Sequence, residues 1–437
     1  AKEDNDGMFP LHHIIRNNSN IEVVKLIIEA YPEAAYKMDY TGWFPLHHAA
    51  KYNSNIDVVK LILDAHPQAI SEKDKYSDDF PLHYAARYNS NVEVVKLILE
   101  AYPQAVFEKD EDGNTSLHYL ARHCKNPKIV AEILDAHPKA ADEKNNGGGT
   151  PLHIAARYNL NPKVIRYLLN AHPEAAAEKD NYGNTPLHIA AYHNSNPKVV
   201  ELIIEAYPEA AAEKNEDKHT PLHLAAYHNS NPKVVKLILK ANSKAAVEMD
   251  YEGKLPLHCA VMYRSNIEIV KLILDEYPEA ASEIDDEGKL PLHIAARNSN
   301  PKVVKLILDA YPQAVAEKSF CGLFPLHHAA RNPNPEVVRL IYFTYYQAIN
   351  GRNRNGDTPL DIATRYLDNN NYVLHHVLEG NIAIIKFLKK ATNGTLVNAA
   401  IKIQHAWREC RYNPTYRMCQ KIQIELFENT INNYQNN

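Results

Sequence analysis

Imidazole is the chemical group this chain repeats most regularly. Ten of its 23 histidines, including His12, His47, His153, His188 and His293, recur at one fixed motif position. Regularly placed imidazoles are what metal binding or acid–base chemistry would use. Each, however, is separated from the next by a whole repeat. No Ser/His/Asp set, paired-carboxylate constellation or phosphate-binding glycine loop stands out from the repeat background. The five cysteines, Cys124, Cys259, Cys321, Cys410 and Cys419, are odd in number and scattered, with no CxxC or Cys/His ligand spacing. They read as reduced thiols of an intracellular, cytoplasmic protein. No catalytic residue, metal or cofactor is expected.

The elements that carry those histidines repeat with the same period. Pro-Leu-His begins at Pro10, Pro45, Pro81, Pro151, Pro186, Pro221, Pro256, Pro291 and Pro325, with Ser116-Leu117-His118 and Pro359-Leu360-Asp361 as degenerate members, so the spacing stays at 34 to 36 residues. That makes about eleven tandem copies. In the copy that starts at Glu178, Asp180-x-x-Gly183 is turn chemistry, with glycine supplying positive φ. Thr185 is expected to cap a helix, Pro186 to occupy its first position, and Leu187-x-x-Ala190-Ala191 to give it a narrow face. Asn194-Ser195-Asn196 should close that helix, the first asparagine tolerating the left-handed conformation and the second capping the next helix. The second helix carries the apolar mass: Val58, Val59, Leu61, Ile62 and Leu63 recur at i, i+3, i+4 spacing, and the helix stops before a proline such as Pro67 or Pro103. One such copy is too poor in apolar side chains to fold alone. Stacking supplies the missing contacts, and stability becomes a sum over neighbouring interfaces.

Bulk properties narrow the partner class. At 45% apolar and 23% charged residues the composition is that of an ordinary soluble chain. No run approaches the ~18 apolar residues of a membrane span. Forty-eight basic against 53 acidic side chains leave a net charge of −5, which provides no general field for nucleic-acid phosphates.

The pattern resembles the ankyrin-repeat family, whose signature Thr-Pro-Leu-His-x-Ala stands unaltered at Thr150 to Ala155, Thr185 to Ala190 and Thr220 to Ala225. The resemblance implies an all-α solenoid in which each repeat is a helix–turn–helix plus a β-hairpin loop. It implies a non-enzymatic recognition module that uses a concave surface made of hairpin tips and the exposed side of helix one. It also implies that the motif histidine hydrogen-bonds the hairpin backbone. Two departures are visible. The copies run about two residues longer than the usual repeat, with additions in the Asn-Ser-Asn loop and the Ala-Tyr-Pro-Glu-Ala segment. Phe9, Phe44, Phe80, Leu255, Leu290 or Phe324 replaces the capping threonine in several, each at an expected loss of ~1 kcal/mol that packing must offset.

On that concave surface the two positions after the Ala-Ala pair are the candidate partner contacts: Lys51-Tyr52, Arg87-Tyr88, Arg122-His123, Arg157-Tyr158, Tyr192-His193, Tyr227-His228 and Met262-Tyr263. Tyrosine and arginine dominate binding hot spots. The ladder suits an acidic or helical segment of a partner protein. The alternative is that these tyrosines stack on each other between copies. Nucleic acid is disfavoured by Asp110, Glu111, Asp112, Asp285, Asp286 and Glu287 along the rim.

The solenoid is expected to span residues 1–391, followed by a helical tail at 392–430 and a disordered end at 431–437. Leu396, Ala399, Ala400, Ile403, Trp407 and Cys410 fall on one side of a basic amphipathic helix. Ile403, Gln404, Trp407 and Arg408 resemble the first half of an IQ motif, which implies a calmodulin-like partner, but Glu409 and Asn413 depart from it. The same helix could instead cap the last repeat. The stretch through Pro414, Tyr416, Cys419 and Phe427 resembles tails on proteins of large DNA viruses, implying a viral ankyrin protein in host cytoplasm or virion. Ala1 aligns with Ala177, so the repeats are expected to continue upstream. Two functional classes follow: an adaptor that recruits a client, or a structural component of a virion or cytoskeletal complex.

Overall fold

A computed structural model describes residues 3–17, 20–124, 126–262, 266–297, 300–369, 375–393 and 396. They form twenty-two α-helices in sequential pairs, with a 3₁₀ segment after each of the first ten pairs and no strand among the described residues. The chain divides into two compact units, Ala1–Glu216 and Asp217–Asn437.

In the first unit the first helices run from Pro10–Asn17 to Pro186–His193 and the second helices from Ile21–Ala30 to Pro197–Ala206. Five of its six second helices begin at an asparagine whose side chain accepts the N–H two residues on, as Asn55 does from Asp57 at 3.0 Å; Lys128–Ala136 is preceded by Pro127. This is the expected cap. Val58, Val59, Ile62 and Leu63 are buried, whereas Leu61 is only half-buried and Leu26, its counterpart one copy earlier, is 64% exposed. The apolar stripe is therefore narrower than expected. Proline then forces the preceding residue out of helical geometry: His172 sits at φ −145° before Pro173, which opens the 3₁₀ turn Pro173–Ala176. That turn buries Ala175 and Ala176. It is what the lengthened Ala-Tyr-Pro-Glu-Ala segment builds.

The hairpins are turns closed by one cross-turn bond, such as Asp180 N–H to the Asn184 carbonyl at 2.9 Å. Each leans on the one before it: Asn146 N–H donates to Asp112 O and Asn181 N–H to Gly147 O, both at 3.0 Å. Gly183 takes φ +74°, and a Cβ there would stand 3.0 Å from the Glu216 amide nitrogen. Bonds of this kind hold the expected hairpin loops without any strand among the described residues.

Two expectations about capping change. The first loop asparagine is extended, not left-handed: Asn194 has φ −98° and ψ 117°. Its side chain is fully buried, accepts the Asn196 N–H at 3.0 Å, and donates to the carbonyls of Ala156 and Asn159 in the preceding repeat at 3.0 and 3.1 Å. It is a bridge between repeats. The first helix, in turn, takes its cap from the motif histidine: Nδ1 of His153 accepts the Thr150 N–H at 3.1 Å, and Nδ1 of His47 accepts the Phe44 N–H at 3.2 Å. The backbone N–H is available whatever the side chain at that position, so phenylalanine keeps this bond and gives up only the hydroxyl contact to Nδ1, 2.9 Å in Thr150. Phe44 and Phe80 instead bury their rings, Phe44 edge-on to His66 at 5.0 Å.

The second unit repeats the same construction from Pro221–His228 to His375–Thr392. Its last helix buries Ile384, Leu388 and Ala391 and sets Phe387 edge-on to Tyr342 at 5.4 Å. This helix covers the preceding repeat. Ile403, Gln404, Trp407 and Arg408 lie outside the described residues, as do most of 392–430 and all of 431–437.

Candidate functional site

The motif histidines are fully committed to backbone. Because Nδ1 accepts an N–H, Nε2 must carry the proton, and it donates to a hairpin carbonyl: His118 to Gly149 at 3.0 Å, His153 to Asn184 at 3.1 Å, His258 to Lys289 at 3.2 Å. Burial pushes His47, His83, His118, His258 and His293 down to about 4, since the interior disfavours imidazolium. No lone pair is left for a metal. Among the described residues no group of three or more His, Cys, Asp or Glu could hold a metal ion. Burial also raises Cys124 to about 11 and Cys259 to about 12, far from a reactive thiolate.

The ladder residues from Lys51 to His228 occupy the last turn of their first helices, and Met262 follows the helix Pro256–Ala260. In the first unit they form a staircase: the cation of one repeat sits over the aromatic ring of the next. Arg16 lies 5.0 Å from the Tyr52 ring centre, Lys51 4.4 Å from Tyr88, Arg87 4.9 Å from Tyr119, and Arg122 4.2 Å from Tyr158. Arg157 covers Tyr158 from its own repeat at 5.1 Å. Yet Tyr52, Tyr88 and Tyr158 remain 40, 48 and 41% exposed, so interleaving leaves a face to solvent. Arg122, His123 and His193 are exposed, and half-buried Tyr192 packs edge-on to His193 at 4.5 Å. In the second unit Tyr227 and His228 are exposed and Met262 is half-buried; Tyr263 lies outside the described residues. The acidic rim is thinner than expected. Asp110 and Asp285 turn inward and are buried, Asp110 accepting Asn114 N–H at 2.7 Å and Asp285 the Lys289 N–H at 2.8 Å. Glu111, Asp112, Asp286 and Glu287 stay exposed.

A family model for three tandem ankyrin repeats matches residues 1–74, 55–142, 121–213, 196–283 and 292–399, which together cover most of the chain. The chain belongs to the ankyrin-repeat family. No curated protein matches it. Ankyrin repeats generally serve as protein–protein interaction modules, and among the described residues no helix is long and apolar enough to cross a membrane.

Within this ankyrin array the sequence pattern missed Trp43, Tyr84 and Tyr119. Trp43 stands on a hairpin and Tyr84 directly after the motif histidine, and their rings meet at 4.4 Å. Lys51 reaches both, at 4.8 and 5.5 Å. The available signal was the pair of Pro/Ser-Leu-His-Tyr motifs at 81–84 and 116–119, where other ankyrin copies carry Ile, Leu, Cys or His.

Proposed function

We propose that this protein is a non-enzymatic adaptor or scaffold that binds a partner protein through the first-helix and hairpin face of its ankyrin repeats, with the cation–tyrosine staircase of residues 51–158 at the centre. The observation that carries this reading is the exposure of Tyr52, Tyr88 and Tyr158 beside Lys51, Arg122 and Arg157. Rigid rings with fixed donors present contact area at modest entropic loss. The reading places the protein inside the cell, where reduced thiols persist.

The test is affinity capture with the intact chain, followed by titration of the recovered partner. Tyr158→Ala and Tyr192→Ala are each expected to weaken binding by about 2 kcal/mol, roughly 30-fold. Unchanged affinity in both would place the partner elsewhere.

A further inference from the structure

The hairpin of residues 74–80 is one residue longer than its neighbours. Asp74 N–H closes onto the Asp79 carbonyl at 3.0 Å, across five residues, whereas Asp39 closes onto Trp43 and Asp110 onto Asn114 across four. Asp78 absorbs the insertion by taking φ +57°, where the other tips place glycine except at Lys218. Asp79 thereby occupies the inward register position held elsewhere by Trp43, Asn114, Gly149 and Lys254.

The consequence is an uncompensated carboxylate. Its side chain is 5% exposed and Oδ1 has no hydrogen-bond partner. His83 Nδ1 lies 3.6 Å away but already accepts the Phe80 N–H at 3.0 Å, so it has no proton to give. The Ser77 hydroxyl lies 3.2 Å from Oδ2, yet it reaches Asp74 Oδ2 at 2.6 Å and carries a single hydrogen. The neighbouring acids are better served: Tyr84 donates to Asp74, Tyr119 to Asp110, and backbone N–H groups complete both. Burial, then the Asp110 and Asp74 carboxylates, pushes Asp79 up to about 7. A buried carboxylate with one oxygen left unbonded is retained at a penalty that a ligand of opposite charge removes.

Asp79 lines a cleft of about 240 Å³ whose walls are Trp43, Tyr84 and Tyr119 and whose mouth carries Glu111 and Asp112. Lys51 and Arg87 rest on those aromatic walls, but no ion pair within 4.0 Å joins either to Asp79 among the described residues. Four carboxylates against two cations line the space. The volume falls below the ~300–1,000 Å³ of small-molecule pockets.

We propose that this cleft is a specificity subsite that receives one basic side chain, arginine or lysine, from the partner protein. The guanidinium or ammonium hydrogen-bonds Asp79 Oδ1 and lies against the aromatic walls, combining a charge-assisted bond with cation–π attraction. The inference rests on the reading that the first-helix face meets a partner. It adds the sign of that partner's anchor: basic, where the exposed ladder alone favours an acidic segment.

The test uses the full chain and fluorescently labelled alanine–glycine peptides with one central arginine, lysine, citrulline or glutamate, read by anisotropy. Arginine and lysine peptides are expected to bind about tenfold or more tighter than citrulline or glutamate. Asp79→Asn should abolish that preference while raising the thermal midpoint, which separates lost recognition from lost folding. Lys51→Gln should strengthen it, because a competing cation leaves the walls. A preference that survives Asp79→Asn, tighter binding of the glutamate peptide, or no discrimination among the peptides would overturn the proposal. Loss of a captured partner's affinity in Tyr158→Ala but not in Asp79→Asn would sink this subsite and leave the binding face standing; no loss in either would sink both.

Discussion

The first helices of residues 45–158 and those of residues 291–331 bury the same residues with different lengths. Pro45–Tyr52, Pro81–Tyr88 and Pro151–Tyr158 each have eight residues and end in a cation and a tyrosine. Pro291–Ala295 and Pro325–Ala329 have five and pass straight from Arg297 or Arg331 into the loop, without the aromatic. The core does not register the omission. Leu326, Ala329 and Ala330 are as buried as Leu46, Ala49 and Ala50, and Asn332 still donates to Ala296 O at 2.9 Å, as Asn159 does to Ala121 O at 2.9 Å. Repeats therefore stack without the tyrosine. Stacking does not require the added turn, which is consistent with the proposed role of its aromatics as partner contacts.

That comparison can be broken at several depths. The deepest is what both regions share. Unfolded histidine titrates near 6.5, whereas burial lowers His47, His83, His118, His258 and His293 to about 4, so their stabilisation is complete above 6.5 and is lost as pH falls toward 4. Each contributes up to about 3 kcal/mol. Asp79, Asp285 and Asp309 work in the opposite sense, since burial raises each and favours the protonated native state, but they are fewer than the histidines. Urea midpoints by circular dichroism should fall steeply between pH 6.5 and 4.5 and be flat above 7; a flat profile throughout would contradict buried neutral imidazoles.

Next comes the bridge. Asn194→Ala strands two carbonyls and the Asn196 N–H, for an expected loss of about 3 kcal/mol in denaturant unfolding. Tyr158→Ala, by contrast, should cost under about 1 kcal/mol, because the ring is exposed and its two arginine contacts are worth little in water. Equal losses would make the tyrosine a structural spacer after all. The smallest effect is reserved for Lys144→Ala. Its 2.6 Å contact with Glu178 is a surface pair, as are Lys109–Glu143 and Lys179–Glu213, and its removal should change stability by about 0.5 kcal/mol or less.

Much of this architecture was legible in the residues. The period, the helix starts at proline, the capping by the second loop asparagine and the glycine turns all follow from local chemistry repeated in register. What was not legible depends on partners a repeat away. Asn194 looks like a turn residue, and only the carbonyls of the preceding copy show that it is a bridge. Thr150 looks like a cap by itself, and only the histidine ring shows that the cap is shared, His153 Nδ1 accepting the Thr150 N–H and meeting its hydroxyl. Asp110 and Glu111 are adjacent acids, yet one faces inward and the other outward because one closes the hairpin. Asp79 is hidden by a one-residue insertion that shifts it into the inward position.

The two seam bonds also point in opposite directions along the chain. Asparagine reaches back to the preceding copy, as Asn159 does to Ala121 O, while histidine reaches forward to the next, as His118 does to Gly149 O. Within a unit, copies that carry both groups thus present a donor and an acceptor to both neighbours in the same arrangement, whereas the fourth copy has Cys124 in place of the asparagine and the eleventh Asp361 in place of the histidine. A whole unit can be duplicated, deleted or exchanged by recombination without inventing a new junction, and the surface-bearing turn travels with it, so lineages can lengthen the array or re-letter its face one module at a time.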